Sequence, residues 1–130
     1  MKTYCTETER EVLAGVISHP SELTRNIKIL NVDLFYVDEH RSIYEEMIRQ
    51  LEQERRVSPD SMRNKFEQLG WEDRKGNKIS DLIGAFCAAP PEPDEITELI
   101  IQLTDLNYSR RVEAACEKIK RHATENIGIL

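Results

Sequence analysis

An all-α fold, a compact bundle of about six helices ending in one long C-terminal helix, is what this sequence predicts, on three observations. Apolar residues recur at helical spacing in every periodic segment, and no segment alternates over a strand length. Charged residues make up 32% of the chain while Gly and Pro number five each, a composition of soluble helical domains rather than of β-sandwiches or disordered tails. Caps, prolines and glycines stand where these periodic segments begin and end. With 130 residues a single domain spanning 1–130 is expected, long enough to bury roughly two thirds of its unfolded surface.

Thr6 followed by Glu9 reads as a capping box, and Val12, Leu13, Val16 and Ile17 then form an apolar stripe, so a first helix is expected from about Glu7 to Ser18. Pro20 suits a first helical position, and Leu23, Ile27 and Leu30 keep one face apolar as far as Asn31, giving a second helix. The aromatic pair Phe35-Tyr36 precedes the third, for which Asp38 is the expected N-cap. Ile43, Tyr44, Met47, Ile48 and Leu51 share its inner face, while Glu45, Glu46, Arg49 and Gln50 face away. At least one ring of the pair is expected to fold over the helix start as a hydrophobic staple, with Tyr44, Met47 and Leu51 in the core beneath it. The run from Glu52 to Arg56 is a solvated helix end.

Ser58-Pro59-Asp60 supplies a cap, a proline at the first position and an early carboxylate for a fourth helix, whose inner face is Met62, Phe66 and Leu69. Gly70 stops it, and Trp71 is expected to cover its end. Residues 72–78 form a turn by composition, after which Ile79, Leu82, Ile83 and Phe86 resume helical spacing as a fifth helix. Three prolines between Ala88 and Asp94 make a rigid spacer. Beyond it, Ile96, Leu99, Ile100, Leu103 and Leu106 make one stripe, and Tyr108, Val112, Ala115, Ile119 and Ala123 a second, offset in phase. One long helix over about 92–123, its buried face shifting near Asn107, accounts for both.

Net charge is −6, which argues against a domain whose main task is to neutralise phosphates. Charge is nevertheless segregated along the last helix. Glu92 to Asp105 holds five acidic residues and no basic one, whereas Arg110, Arg111, Lys118, Lys120 and Arg121 face only Glu113 and Glu117 further on. Late basic residues can simply complement a helix C-terminus. Alternatively, the acidic half of one copy docks on the basic half of another, with Glu95, Glu98, Arg110, Arg111, Lys118 and Arg121 as the interacting charges.

The sequence holds no G-x-x-x-x-G-K-[ST] loop, G-x-G-x-x-G, H-E-x-x-H or EF-hand pattern, so no nucleotide-hydrolysing cradle is expected here, and no cofactor. His19, His40 and His122 lack ligand spacing, and no metal site is expected; His40 reads as a capping or packing residue. Cys5, Cys87 and Cys116 are odd in number, widely separated and without C-x-x-C spacing, which points away from disulfides and zinc and toward a reducing cytoplasm. Cys87 and Cys116 fall on apolar helical faces, where thiols behave as small hydrophobes. Neither a signal peptide nor a membrane span is evident.

Phe35-Tyr36, three residues, His40-Arg41, one residue, then Ile43 and an aromatic resembles the signature of the N-terminal domain of DnaB-type replicative DNA helicases. On the first helix, Glu9, Val12 and Leu13 match that family's pattern, though Ala14 stands at the family's Gly and Gly15 follows it. Val57, Asp60 and Gly70 fill the family's places around the fourth helix, Asn77 replaces the second of two glycines before the fifth, and Ile100 stands where a Tyr is common. Tyr108 and Arg110-Arg111 keep a later element, so the resemblance runs from about Glu9 to Ala123. It implies an all-α interaction module without motor activity, whose copies pair in a collar on a helicase hexamer and which receives primase or a helicase loader; direct nucleic-acid contact is not expected. That family closes a hairpin with a helix after the long one; the chain stops at Leu130 without it, so an excised domain or short stand-alone relative is expected. Competing readings are a small helical DNA-binding domain that places Arg110, Arg111, Lys118, Lys120 and Arg121 on phosphates, and a small helical enzyme, for which only scattered carboxylates speak.

Overall fold

A computed structural model describes residues 3–129, with side chains to residue 125. Among the described residues there are six α-helices: α1 (Thr6–Ser18), α2 (Pro20–Arg25), α3 (Asp38–Glu52), α4 (Pro59–Leu69), α5 (Ile79–Phe86) and α6 (Pro93–Ile129). The expected all-α bundle with a long last helix is what forms.

The helix around which the others are laid is α1, which touches all five of them. Its apolar residues exceed a stripe: every residue from Val12 to Ile17 is buried, as befits a helix enclosed on all sides. Gly15 marks the closest approach. A Cβ there would lie 2.8 Å from Cδ1 and Cγ1 of Ile96 and 3.2 Å from Cγ of Pro91, so the glycine one place after the family's own lets α6 lie directly against α1. Gly15→Ala is accordingly expected to destabilise the protein by about 1–3 kcal/mol through overpacking, read from the urea midpoint at unchanged slope; a neutral result would mean that the Ile96 side chain rotates away freely.

The capping box expected at Thr6 and Glu9 does not form. Thr6 is already helical, Cys5 occupies the N-cap position without a side-chain cap bond, and the Glu9 carboxylate is engaged elsewhere. Helix α2 stops at Arg25, short of the expected Asn31: the Ile27 N–H goes to the Thr24 carbonyl at 3.4 Å, three residues back instead of four, and the Asn26 side chain donates to the Glu22 carbonyl at 2.8 Å, competing for the helix's own acceptor. Leu23 and Leu30 are buried, but Ile27 is exposed, contrary to the expected face.

Helix α3 begins at Asp38, with Val37 as its N-cap and no side-chain cap. Asp38 is thus not the cap, and its carboxylate faces Arg74 at 3.1 Å and Arg41 at 3.9 Å instead. Ile43, Tyr44 and Met47 are core residues, while Ile48 and Leu51 lie partly buried at its edge. Glu46 and Gln50, expected to face solvent, are buried. Arg49 donates to Glu46 at 2.6 Å, Gln50 donates to Glu46 at 3.2 Å, and Ser61 donates to Gln50 Oε1 at 2.8 Å. Since Ser61 also completes the capping box of α4 with Ser58, a polar chain ties α3 to the start of α4. Helix α4 ends as expected at Gly70, whose φ of 66° is left-handed, and the exposed Trp71 packs edge-on to Phe66 with ring centroids 5.7 Å apart. Met62 and Phe66 face inward, whereas Leu69 is exposed.

The 37 residues of α6 make a rod about 55 Å long. Its first third docks through Ile96, Ile100 and Leu103, all fully buried, with Leu99 and Leu106 at the margin. A buried face that shifts near Asn107 is not seen. Residues 111–125 are all exposed, so the second apolar stripe lies on a part of α6 that leaves the bundle.

Candidate functional site

Two features gather the residues singled out by the sequence. The first is a junction where α1, the aromatic loop and α6 meet. Glu9, fully buried on α1, accepts the backbone N–H of Tyr36 at 3.0 Å, that of Val37 at 3.3 Å, and His40 Nδ1 at 2.9 Å. One carboxylate therefore satisfies backbone donors at the mouth of α3 and anchors a histidine from its first turn, a role commonly filled by a local cap. His40 is buried and stands edge-on to Phe86 of α5, centroids 5.6 Å apart. Arg10 lies over the same Phe86 ring at 5.7 Å.

Directly after this buried set comes an outer one. Tyr36, 52% exposed, stacks on Tyr4 with centroids 4.2 Å apart. Arg110 of α6 lies 5.7 Å from the Tyr36 ring centre and donates to the carbonyls of Thr3 at 2.7 Å, Asp33 at 2.9 Å and Leu34 at 3.3 Å, and to Asn107 at 3.3 Å. Burial pulls the Arg110 guanidinium below its ordinary pKa, against the opposing pull of Glu9. A planar fork of five donors suits this cluster of carbonyls. Arg110 thus ties α6, where it leaves the bundle, to Thr3 and to the loop ahead of α3.

The second feature is the outward face of α6. Ile101, Thr104, Tyr108, Val112, Ala115 and Ile119 are exposed and fall within one strip, about a third of a turn round the helix from Ile96, Ile100 and Leu103. Tyr108 is 69% and Ile119 68% exposed. Glu95 and Glu98 stand exposed toward the docked end, and Arg111, Lys118 and Arg121 on the projecting end. Cys116, read from sequence as a small hydrophobe on an apolar face, is exposed beside the strip. Burial raises the pKa of Cys87 above that of an ordinary thiol.

Of the family-motif residues, Glu9, Phe35, Tyr36 and His40 converge on the junction, Leu13 and Ile43 lie in the core, and Arg41 is half-exposed beside Asp38. The family model described as DnaB-like helicase N terminal domain matches residues 1–105. The chain belongs to this family. No curated protein and no solved structure gives a significant match.

In this DnaB-like N-terminal domain the matched residues take in the whole bundle and the docked third of α6. Arg110, Arg111 and the strip from Tyr108 to Ile119 lie beyond the matched range. Tyr4 and Asn107 join the junction without any sequence signal that sets them apart from other polar or aromatic residues at helix margins. Among the described residues, no group of three or more His, Cys, Asp or Glu is placed to hold a metal ion, and no helix is long and apolar enough to cross a membrane.

Proposed function

We propose that this domain is a protein-interaction and oligomerisation module of a replicative DNA helicase, helping to build the hexamer's collar and to receive primase or a helicase loader. The observation that carries the reading is the outward strip of α6. Exposed apolar residues repeated along one side of a projecting helix are what a second helix covers, and the bundle's own core takes a different side, that of Ile96, Ile100 and Leu103. Family membership supports a place in a replicative helicase.

A second copy running antiparallel is the favoured occupant of the strip. With the pair centred on Tyr108, Glu95 comes level along the axis with Arg121, Glu98 with Lys118 and Asp105 with Arg111; helical spacing puts the acids and the bases on opposite flanks of the strip, so the acidic half of each helix attracts the basic half of the other at a distance rather than through ion pairs. Sedimentation equilibrium tests it. The chain is expected to dimerise at submillimolar concentration, and Val112→Glu with Ile119→Glu is expected to weaken the dimer by at least about tenfold for each substitution, roughly 1.4 kcal/mol apiece. Arg111→Glu with Lys118→Glu should also weaken it, and Glu98→Lys with Glu95→Lys in the same chain should partly restore it. A chain that stays monomeric at submillimolar concentration and low salt overturns self-pairing; a dimer indifferent to all these changes places the interface elsewhere.

A further inference from the structure

A cleft of about 990 Å³ opens beside the exposed Tyr36, between the start of α3, the turn after α4 and the point where α6 leaves the bundle. Its walls carry Arg41, Arg74, Lys75, Arg110 and Arg111 against Asp33, Asp38 and Glu39, an excess of positive charge on a protein whose net charge is −6. These cations are incompletely matched. Arg41 and Arg74 share the single carboxylate of Asp38, Arg110 is turned onto backbone carbonyls, and Lys75 and Arg111 have no ion-pair partner among the described residues. The walls are also held in place. The backbone of Tyr36 and Val37 is fixed by the buried Glu9 carboxylate, the Tyr36 ring by Tyr4 and Arg110, and the turn bearing Arg74 and Lys75 by Asp73, which accepts the backbone N–H of Lys75 and of Asn77, both at 2.9 Å. A preorganised surface loses less entropy on binding.

We propose that this cleft docks an acidic polypeptide segment of a partner protein, whose carboxylates pair with Arg41, Arg74, Lys75 and Arg111. A nucleic-acid strand fits it less well for two reasons. Asp33, Asp38 and Glu39 line the same cleft as the cations, so a ligand with a negative charge at every unit meets repulsion that a peptide with spaced carboxylates and free amides avoids. Stacking by bases also needs an open aromatic face, whereas Tyr36 already contacts both Tyr4 and Arg110. The site shares Arg111 with the charges beside the α6 strip, whereas Arg41, Arg74 and Lys75 lie off that helix, so peptide binding is read at these three whether or not the chain pairs.

The test is titration of the isotope-labelled full chain, followed by amide chemical shifts, with a decapeptide of alternating glutamate and serine and, in parallel, with oligothymidylate of equal charge. The peptide is expected to shift amides of Tyr36, Arg41, Arg74, Lys75 and Arg111, and Arg74→Glu with Lys75→Glu is expected to weaken it by about five- to tenfold. Both side chains are exposed, and an unchanged spectrum elsewhere shows that the variant is folded. Absence of shifts in the cleft, shifts confined to Lys118–Arg121, or a peptide affinity unmoved by the double substitution overturns the proposal. Tighter binding of oligothymidylate at the same residues replaces it with a nucleic-acid site.

Discussion

Glu9→Ala is expected to destabilise the fold by about 3–5 kcal/mol, the range for stranding partners of a buried charge. The residue sits at the centre of the bundle with no solvent access, and its removal leaves the N–H groups of Tyr36 and Val37 and the His40 ring without their acceptor. Each unmet buried donor costs about 1–3 kcal/mol, so the loss comes from the orphaned donors more than from the missing methylenes. Glu9→Gln keeps the shape and one acceptor oxygen but turns an NH2 toward the backbone donors or toward His40 Nδ1, which accepts it only after a change of tautomer, and it should fall between wild type and the alanine variant. Urea unfolding at constant slope reads the difference. Because Glu9 and His40 are in direct contact, Glu9→Ala and His40→Ala should be non-additive by about 0.5–3 kcal/mol. A loss below 1 kcal/mol for Glu9→Ala, on the order of an ordinary surface change, would show that water takes the place of the carboxylate and that the junction does not hold the loop.

This junction also shows where sequence reading succeeds and where it stops. Helix count, the stops at Gly70 and before Pro90, and the inner face of α3 at Ile43, Tyr44 and Met47 follow from spacing and capping chemistry, which are local. Glu9 followed the same local logic and was misplaced, because its partners lie 27 to 31 residues away and an acid in a first helical turn looks the same whether it caps its own helix or reaches another. Asp38 erred in the opposite sense: its position suits a cap, yet the helix starts one residue earlier and the His40 and Arg41 N–H groups of its first turn go to the Val37 carbonyl, at 3.0 and 3.1 Å. Polar residues buried in pairs, such as Glu46 with Gln50, defeat periodicity because each satisfies the other. The stripe from Tyr108 to Ile119 was legible as apolar and helical. Whether such a stripe meets its own core depends on where the helix leaves the bundle, which here follows the last buried residue, Leu103, near Arg110, whose partners are backbone carbonyls, groups that every residue carries.

Phe35 and Tyr36 are adjacent aromatics with opposite roles, and their substitution should separate them. From sequence either ring qualified as the staple over α3. In the structure Phe35 is buried against Tyr44, ring centroids 5.3 Å apart, while Tyr36 lies outside on Tyr4, since successive residues of the extended backbone leading into α3 point to opposite sides. Phe35→Ala is therefore expected to cost about 3–5 kcal/mol, the price of an aromatic-sized cavity in a core that cannot fully collapse. Tyr36→Ala removes one stacked pair and one cation–π contact at a half-exposed site and should cost only about 1–2 kcal/mol. Its backbone bond to Glu9 survives the change, because alanine keeps the N–H. Urea midpoints of the two variants, compared at equal slope, decide the matter. Equal losses would mean that the outer stack of Tyr4, Tyr36 and Arg110 holds the loop as firmly as the core does; a Phe35→Ala protein nearly as stable as wild type would mean that Tyr44 and Met47 close over the vacated space, leaving Glu9 as the main anchor of the loop.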